Sequence, residues 1–280
     1  MAICTNDGVD KNMTTFATLS DGGNTEGIGA LAQYQLLCMG LAKVYNKDYA
    51  FSPFTNLQHY QYFDVTQEEF GRDVNEFFRF DEAPLPSVST QYLSPSQVMA
   101  QGQEHLESMF PVLSQRELYL EEDKKYFKED EINVAIHVRV YTETDCCTAS
   151  SREYFNAQGV LDHKAYYANI ISSIKKAYGD KKIAYHIYSQ GSPDDFRFFF
   201  ELDSNVFLHI EEYPTISVYH MANADVLVMA NSSLSYIAHL YGKCFTIARD
   251  SFYHKLYETI SVRADVMGAF DIGKLKHYEK

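Results

Sequence analysis

The sequence contains no tryptophan, only five cysteines and no apolar run long enough to cross a bilayer, which takes about 18 residues. An odd number of cysteines argues against a framework of disulfide bonds, and the adjacent Cys146 and Cys147 lack the CxxC spacing of zinc sites. Reduced thiols are the simplest interpretation. Since the first residues also lack the pattern of a signal peptide, we expect a cytoplasmic protein without a membrane span.

Positive charge is scarce as well. The chain carries 24 Lys and Arg against 38 Asp and Glu, a formal net charge of -14. Without a basic stripe to neutralise phosphates, a nucleic-acid partner is not expected. The motif GxxxxGK[ST] is also absent, which argues against a P-loop kinase or sulfotransferase. A small anionic ligand remains compatible with this composition, because one arginine can act locally inside an acidic protein.

A strand with two polar residues near its carboxyl end is predicted over residues 132–140. Its apolar residues recur with period two, and His137 and Arg139 share the opposite side. Ligands of open α/β sheets bind at the carboxyl ends of the strands. Arginine offers a planar fork of donors suited to phosphate, and His137 can meet a base or sugar on the same side. The ordinary alternative is that Arg139 pairs with a nearby carboxylate and His137 is a half-buried histidine.

The second half of the chain alternates between predicted strands and helices, which is typical of a parallel, doubly wound sheet. The predicted strands cover residues 132–140, 183–188, 206–210, 224–230 and 244–248, and the predicted helices cover 163–178, 193–201, 216–223 and 234–241. The length of the chain, 280 residues, fits either one large domain or two small domains. We divide it into residues 1–130 and 131–280.

The first half contains a glycine-rich turn at residues 21–29. Gly27 and Gly29 let the backbone turn tightly, and a helix is predicted to follow over residues 30–45. A turn that opens a helix directs free N–H groups towards an anion, although an ordinary turn with a helix cap fits equally. Further along, we predict a strand at 49–54, a helix at 66–78 capped by Thr66, a loop at 81–96 and helix over 98–127.

A second polar pair follows the strand predicted at 224–230. Ser232 and Ser233 can cap the next helix with their hydroxyl groups. The same N–H groups and hydroxyls suit a diphosphate at the amino end of that helix. On this segment alone, capping is the simpler interpretation.

Taken in order, these segments resemble the fucosyltransferase superfamily of two-lobed (GT-B) glycosyltransferases, which includes the α1,2-, α1,6- and protein O-fucosyltransferases. The matching segments are Gly27-Ile28-Gly29-Ala30, His137-Val138-Arg139-Val140, Tyr188-Ser189-Gln190-Gly191, Ala224-Asp225-Val226-Leu227 and Ser232-Ser233. Their order and spacing match over roughly residues 22–245. The resemblance implies an α/β fold of two Rossmann-type lobes with a cleft between them, an acceptor-side lobe at 1–130 and a nucleotide-sugar-binding lobe at 131–280.

The resemblance also implies roles for individual residues. His137 and Arg139 would hold the nucleotide and its diphosphate, and Ser232 and Ser233 would hold phosphate oxygens. Ser189 would belong to the same donor site. The cleft loop would comprise Asn24, Gly27 and Gly29. The donor would be a nucleotide sugar and the acceptor a glycan, with no cofactor.

Several family residues are replaced in this chain. Val140 stands in place of a second arginine, and Gln190 and Gly191 in place of an acidic pair. The aspartate that reads guanine in the family is Ser217 here. Guanine offers two adjacent N–H donors that favour a carboxylate, whereas uracil offers one donor between two acceptors. Either Glu211 or Glu212 takes over, and the donor is GDP-fucose, or the base is not guanine and the donor is a UDP-sugar such as UDP-xylose.

The transfer reaction needs a base for the acceptor hydroxyl and stabilisation of the leaving diphosphate. The loop after Arg139 offers three carboxylates, Asp145, Glu143 and Glu153, of which Asp145 is closest to the family position, here Cys147. No D-x-D motif precedes a plausible metal site, so we expect a reaction without a metal. Direct displacement by the base-activated hydroxyl would invert the anomeric centre. The alternative is a glycan- or nucleotide-binding module that has kept the fold and lost catalysis.

Overall fold

The computed structural model describes residues 13–18, 27–54, 57–121, 124–140 and 164–278. The chain divides into two compact units, Met1–Tyr119 and Leu120–Lys280. Each unit holds a parallel sheet with helices. The predicted α/β class is therefore confirmed, while the roles assigned to the two halves remain predictions.

Unit 1 contains a three-stranded parallel sheet in the order β2-β1-β3. Its elements are β1 Thr15–Thr18, α1 Ile28–Val44, β2 Asp48–Tyr49, α2 Gln67–Phe78, β3 Thr90–Leu93, α3 Pro95–Glu104 and α4 Leu106–Leu113. The central strand β1 pairs with β2 through Thr15 and Asp48, and with β3 through Thr15 and Thr90. The core is largely aromatic, with Phe16, Phe51, Phe54, Phe70, Phe78 and Phe80 all buried.

The local predictions for unit 1 succeed only in part. Thr66 caps α2 as predicted, in a capping box with Glu69. The predicted strand at 49–54 shrinks to β2, and the loop predicted at 81–96 contains β3. Helix also ends at Leu113 instead of continuing to residue 127. Tyr126 and Phe127 instead belong to unit 2, where they pack against His209 and His186.

Unit 2 contains a six-stranded parallel sheet in the order β6-β5-β4-β7-β8-β9. Its elements are β4 Ile132–His137, α5 Lys164–Tyr178, β5 Ile183–Ser189, α6 Phe198–Leu202, β6 Val206–Ile210, α7 Pro214–Asn223, β7 Val226–Val228, α8 Ser233–Leu240, β8 Phe245–Arg249, β9 Ser261–Ala264 and α9 Ile272–Lys276. In chain order this is the arrangement 3-2-1-4-5-6 of dinucleotide-binding sheets. The strand order reverses between β4 and β7, which makes this position the switch point.

The two faces of this sheet differ in chemistry. One face packs against α5 through aliphatic side chains such as Val134, Ile136 and Ile170, all fully buried. The other face lies under α7 and α8 and carries the buried His186 of β5, and His220 of α7 packs on this face against Tyr188. Alternation along β4 assigns its residues to these faces: Val134 and Ile136 point to α5, and His137 points the other way.

Candidate functional site

The carboxyl ends of β4 and β7 lie side by side at the switch point of the unit 2 sheet. Val134 to Ile136 of β4 pair in register with Val226 to Val228 of β7. His137 and Arg139 therefore leave β4 at the same edge at which Ser232 and Ser233 follow β7. In open α/β sheets the crevice at such a point is where ligands bind.

His137 is a neutral, buried hydrogen-bonding group at this edge. Its side chain is 5% exposed, and its Nδ1 has no hydrogen-bond partner among the residues that the structure describes. Burial, and secondly the charge of Arg139, lower the pKa of His137 to about 3. At neutral pH the imidazole therefore offers a hydrogen bond without a charge.

Arg139 supplies the positive charge. Its side chain is half-buried, and its Nη1 donates to Oε1 of Gln190, 2.8 Å away, in the segment that follows β5. The hydroxyl of Ser189 donates to the carbonyl of Val138 at 2.7 Å and so ties the ends of β4 and β5 together. Gln190 thus helps to orient the guanidinium, a planar group of a kind that suits an oxyanion.

Ser232 caps α8, as the sequence predicts. Its Oγ accepts the N–H of Leu234 at 3.3 Å, and Ser233 is the first residue of the helix. Both serines are half-buried. The first turn of a helix leaves N–H groups without helical partners and concentrates partial positive charge. Capping and anion binding are therefore compatible at this end of α8.

The residues that could recognise the nucleotide base of the donor follow β6 in the sequence. Glu211 has a positive φ of 56°, which is uncommon for a residue other than glycine, and its Oε1 accepts the N–H of Gly191 at 2.8 Å. This contact connects the segments that follow β5 and β6. Glu211 therefore places a carboxylate at the same edge of the sheet as Arg139.

Glu212 and Ser217 have other surroundings. Oε1 of Glu212 lies 3.4 Å from Nδ1 of His209, on the histidine-bearing face of the sheet. Ser217 is buried within α7, and its backbone N–H donates to the carbonyl of Tyr213 at 3.2 Å. Of the three sequence candidates for base recognition, the contacts leave Glu211 best placed at the carboxyl edge.

The remaining sequence candidates belong to loops. Helix α1 begins at Ile28, two residues before the predicted start, so Gly29 lies in the helix and not in the preceding turn. Gly27 precedes the helix in an ordinary extended conformation, with φ of -76°. The cleft residue Asn24 and the three candidate bases, Asp145, Glu143 and Glu153, lie outside the described residues.

Two residues of this edge did not enter the sequence-based site. Gln190 was noted only as a replaced family residue, although it contacts Arg139 directly. Arg249 ends β8, and its guanidinium lies 4.1 Å from the centre of the Tyr166 ring. The rule that selected Arg139, a cation at the carboxyl end of a buried strand, applies equally to Arg249.

The described residues contain neither a cluster of metal ligands nor a helix able to span a membrane. No group of three or more His, Cys, Asp or Glu side chains is arranged there to hold a metal ion. Within the same residues, the helices are too short or too polar to cross a bilayer.

Comparison with known proteins yields only distant structural similarity. Neither a protein-family model nor a curated protein matches this sequence. Among solved structures, the chain is similar to NodZ alpha-1,6-fucosyltransferase co-crystallised with GDP, with a TM-score of 0.39 and 8% sequence identity, over 93% of this chain and 98% of that chain. A similarity of this size does not indicate a function.

Proposed function

We propose that the chain is a glycosyltransferase that moves a sugar from a nucleoside diphosphate donor to a hydroxyl group of a glycan acceptor, with inversion and without a metal. The observation that carries the proposal is that Arg139 and the amino end of α8 follow two neighbouring strands, β4 and β7, at the switch point of a sheet with dinucleotide-binding strand order. The ordered sequence motifs of the fucosyltransferase superfamily support the same activity.

The residues at this edge match the needs of the leaving group. Breaking the bond between sugar and diphosphate leaves negative charge on the diphosphate, which fixed donors stabilise. Arg139 supplies a full charge and a planar fork, and the first turn of α8 supplies N–H dipoles. His137 is neutral and can hold only a hydrogen-bonding group, such as a base or sugar hydroxyl.

The acceptor hydroxyl needs a base to accept its proton as the new bond forms. We assign this role to a carboxylate in the loop after Arg139, with Asp145 before Glu143 and Glu153. Attack by the activated hydroxyl on the anomeric carbon displaces the diphosphate directly. A single displacement of this kind inverts the anomeric centre.

The nucleotide is tested by a thermal-shift comparison of GDP, UDP, GDP-fucose and UDP-xylose on the full chain. A bound ligand raises the melting temperature, and at 100 times its Kd it adds about 2.7 kcal/mol to stability. We expect stabilisation by one nucleotide family and less by the other. If none of the four compounds raises the melting temperature at millimolar concentration, the proposed donor site is wrong.

Base choice is tested by replacing the two glutamates separately. If the donor is GDP-fucose, Glu211→Ala should lose stabilisation by GDP while UDP is unaffected, because the carboxylate faces the carboxyl edge. Glu212→Ala serves as the comparison. If the donor is a UDP-sugar, Ser217→Asp should weaken UDP binding. Stabilisation by GDP that survives both alanine variants would contradict this assignment of base recognition.

A binding module without catalysis is the second candidate. It is favoured by the replacement of the second family arginine by Val140 and by the use of one Arg139 donor for Gln190. A product assay with radiolabelled donor, with and without glycan acceptors, distinguishes the two. Binding of donor with neither transfer nor hydrolysis would favour the module.

A further inference from the structure

Gln190 lies between two residues that fix its backbone at the carboxyl edge of the unit 2 sheet. Before it, the hydroxyl of Ser189 donates to the carbonyl of Val138 at 2.7 Å, just after β4. After it, the N–H of Gly191 donates to Oε1 of Glu211 at 2.8 Å, in the segment that follows β6. The glutamine side chain therefore leaves a short segment that is tied to both neighbouring strands.

The contact with Arg139 determines which way round the Gln190 amide lies. Nη1 of Arg139 lies 2.8 Å from Oε1 of Gln190. A guanidinium group has donors only, so the amide atom next to it has to be the oxygen and not the nitrogen. The amide nitrogen Nε2, which carries two N–H donors, is therefore the atom on the far side of the amide group.

These two amide donors can reach a ligand. Within the described part of the chain, Nε2 of Gln190 makes no hydrogen bond. The side chain is half-buried, and Nε2 is not one of the unpartnered polar atoms that are sealed from solvent. Its oxygen is thus occupied by Arg139, while its nitrogen faces solvent at the edge of the sheet.

The amide nitrogen is also close to the charge of Arg139. The 2.8 Å contact and the two amide bonds, of about 1.2 and 1.3 Å, place Nε2 within roughly 5.4 Å of Nη1. Two donors up to about 5.8 Å apart can bind one oxygen, because each N–H···O bond spans about 2.9 Å. An oxyanion attracted by the guanidinium therefore comes within reach of the amide donors.

A neutral residue suits this position because carboxylates surround it. Glu211 contacts the N–H of Gly191, and a side-chain carbon placed at Gly191 would lie 3.7 Å from Oδ2 of Asp195. Both carboxylates repel an anion. A glutamate at position 190 would add a third and could only accept, whereas the amide accepts from Arg139 and still presents donors.

We propose that Gln190 is a second binding residue of the donor site, and that its Nε2 donates to an oxygen of the donor's diphosphate beside Arg139. The inference rests on the proposed function, because it takes that diphosphate as the ligand. It gives the segment after β5 a direct role in binding. The alternative is that Gln190 only holds Arg139 in place.

The proposal is tested by calorimetric titration of the full chain with inorganic pyrophosphate, GDP and UDP. Gln190→Ala should lower the affinity for pyrophosphate about 10- to 150-fold, the range for one hydrogen bond to a charged group. Gln190→Glu keeps an acceptor for Arg139 but removes the donors and adds a charge, so affinity should fall at least as far. Gln115→Ala, at an exposed glutamine of unit 1, is the matched control and should bind as the parent does.

A crystal structure with the nucleotide that binds more tightly distinguishes direct contact from positioning. Nε2 of Gln190 should lie within about 3.2 Å of a phosphate oxygen. A bound diphosphate beyond that distance from Nε2 would overturn the proposal. So would Gln190→Glu with the affinity of the parent chain beside a weakened Gln190→Ala, because Gln190 would then act only by holding Arg139.

Failure of this inference differs from failure of the proposed function. If pyrophosphate, GDP and UDP all fail to bind the parent chain at millimolar concentration, the donor site itself is wrong, and the role of Gln190 with it. If they bind and Gln190→Ala has the affinity of the parent chain, the donor site stands and only the role of Gln190 is wrong.

Discussion

The central strands β1 of unit 1 and β4 of unit 2 both end in a buried polar residue, but the groups around these two residues differ. In unit 1, β1 lies between β2 and β3, and in unit 2, β4 lies between β5 and β7. Each strand ends in a buried polar residue with one atom unpartnered among the described residues, Oγ1 of Thr18 in β1 and Nδ1 of His137 in β4. Each of the two parallel sheets therefore has, at the end of a central strand, a buried polar residue with an atom that is unpartnered in the described part of the chain.

The groups around these two positions differ in charge. Next to Thr18, Nε2 of Gln35 donates to the Thr18 carbonyl at 3.5 Å, and Tyr49 donates to Oε1 of Gln35 at 2.6 Å. These groups are neutral, whereas His137 has Arg139 and the α8 amino end as neighbours along the sheet edge. The comparison teaches that the sheet defines a place for a ligand and that the side chains around the end of the strand select its charge. This fits the proposal that unit 2 holds the anionic donor.

The largest expected effect concerns the core of unit 1 and tests whether unit 2 holds the nucleotide by itself. Phe78 is fully buried and packs against Phe77 and Phe80. Phe78→Ala should cost about 3–5 kcal/mol of stability, because it leaves a cavity. Urea unfolding measures the loss. Stabilisation by the preferred nucleotide should persist in the folded fraction, and its disappearance would show that the nucleotide site needs an intact unit 1.

Removing the cation of unit 2 should almost abolish donor binding. Arg139→Ala loses a charge-assisted contact of about 2–5 kcal/mol, a decrease of about thirtyfold to several thousandfold in donor turnover. Arg139→Lys should restore little, because an ammonium group cannot reproduce the planar fork. Arg197→Ala is the matched control, since Arg197 forms only an exposed ion pair with Asp194. Near-normal donor affinity and rate in Arg139→Ala would refute the role.

The buried histidines of unit 2 predict a loss of stability in acid. Burial lowers the pKa of His137, His186 and His239 to about 3 each, so the unfolded chain binds protons below pH 6.5 that the folded chain does not. Stability is therefore complete above pH 6.5 and falls as the pH drops towards 3. The slope is about 1.4 kcal/mol per pH unit for each histidine that stays neutral.

His239 allows this slope to be checked. Its Nε2 accepts the N–H of Tyr257 at 3.0 Å, so its proton is on Nδ1, which lies 2.9 Å from Oγ1 of Thr246. His239→Gln removes one titrating group. Urea unfolding between pH 5 and 6.5, where carboxylates titrate little, should give a shallower slope than the parent chain. Equal slopes would contradict neutral burial of His239.

The smallest expected effect compares two helix caps, one in each unit. Ser232→Ala and Thr66→Ala each remove a cap worth about 0.5–2 kcal/mol of stability. Only Ser232→Ala should also weaken nucleotide binding, because only its helix begins at the proposed diphosphate site. Equal nucleotide affinities in the two variants would mean that Ser232 acts as a cap alone.

The strands of unit 2 were predictable because their apolar residues are numerous and periodic. The prediction for β6 coincides with the structure, and those for β4 and β5 differ from it only at the carboxyl end. In contrast, β1 has only Phe16 and Ala17 between threonines, which is too short a pattern to recognise. Strand β9, with Val262 as its one large apolar residue, was missed for the same reason.

The candidate site was predictable where it depends on one strand and unpredictable where it depends on two. His137 and Arg139 could be selected because both follow from the alternation within β4. The contact of Arg139 with Gln190 depends on the parallel register of β4 and β5, which brings together residues far apart in sequence. The same holds for Glu211 and Gly191, joined across β5 and β6.

By itself, the sequence determined the α/β class, the strand that carries His137 and Arg139, and the caps at Thr66 and Ser232, because periodicity and capping are local properties of the chain. The tertiary structure alone decided the strand order, and with it the switch point between β4 and β7. It also decided the contact of Arg139 with Gln190. Both depend on contacts between distant segments, whose energies no local pattern encodes.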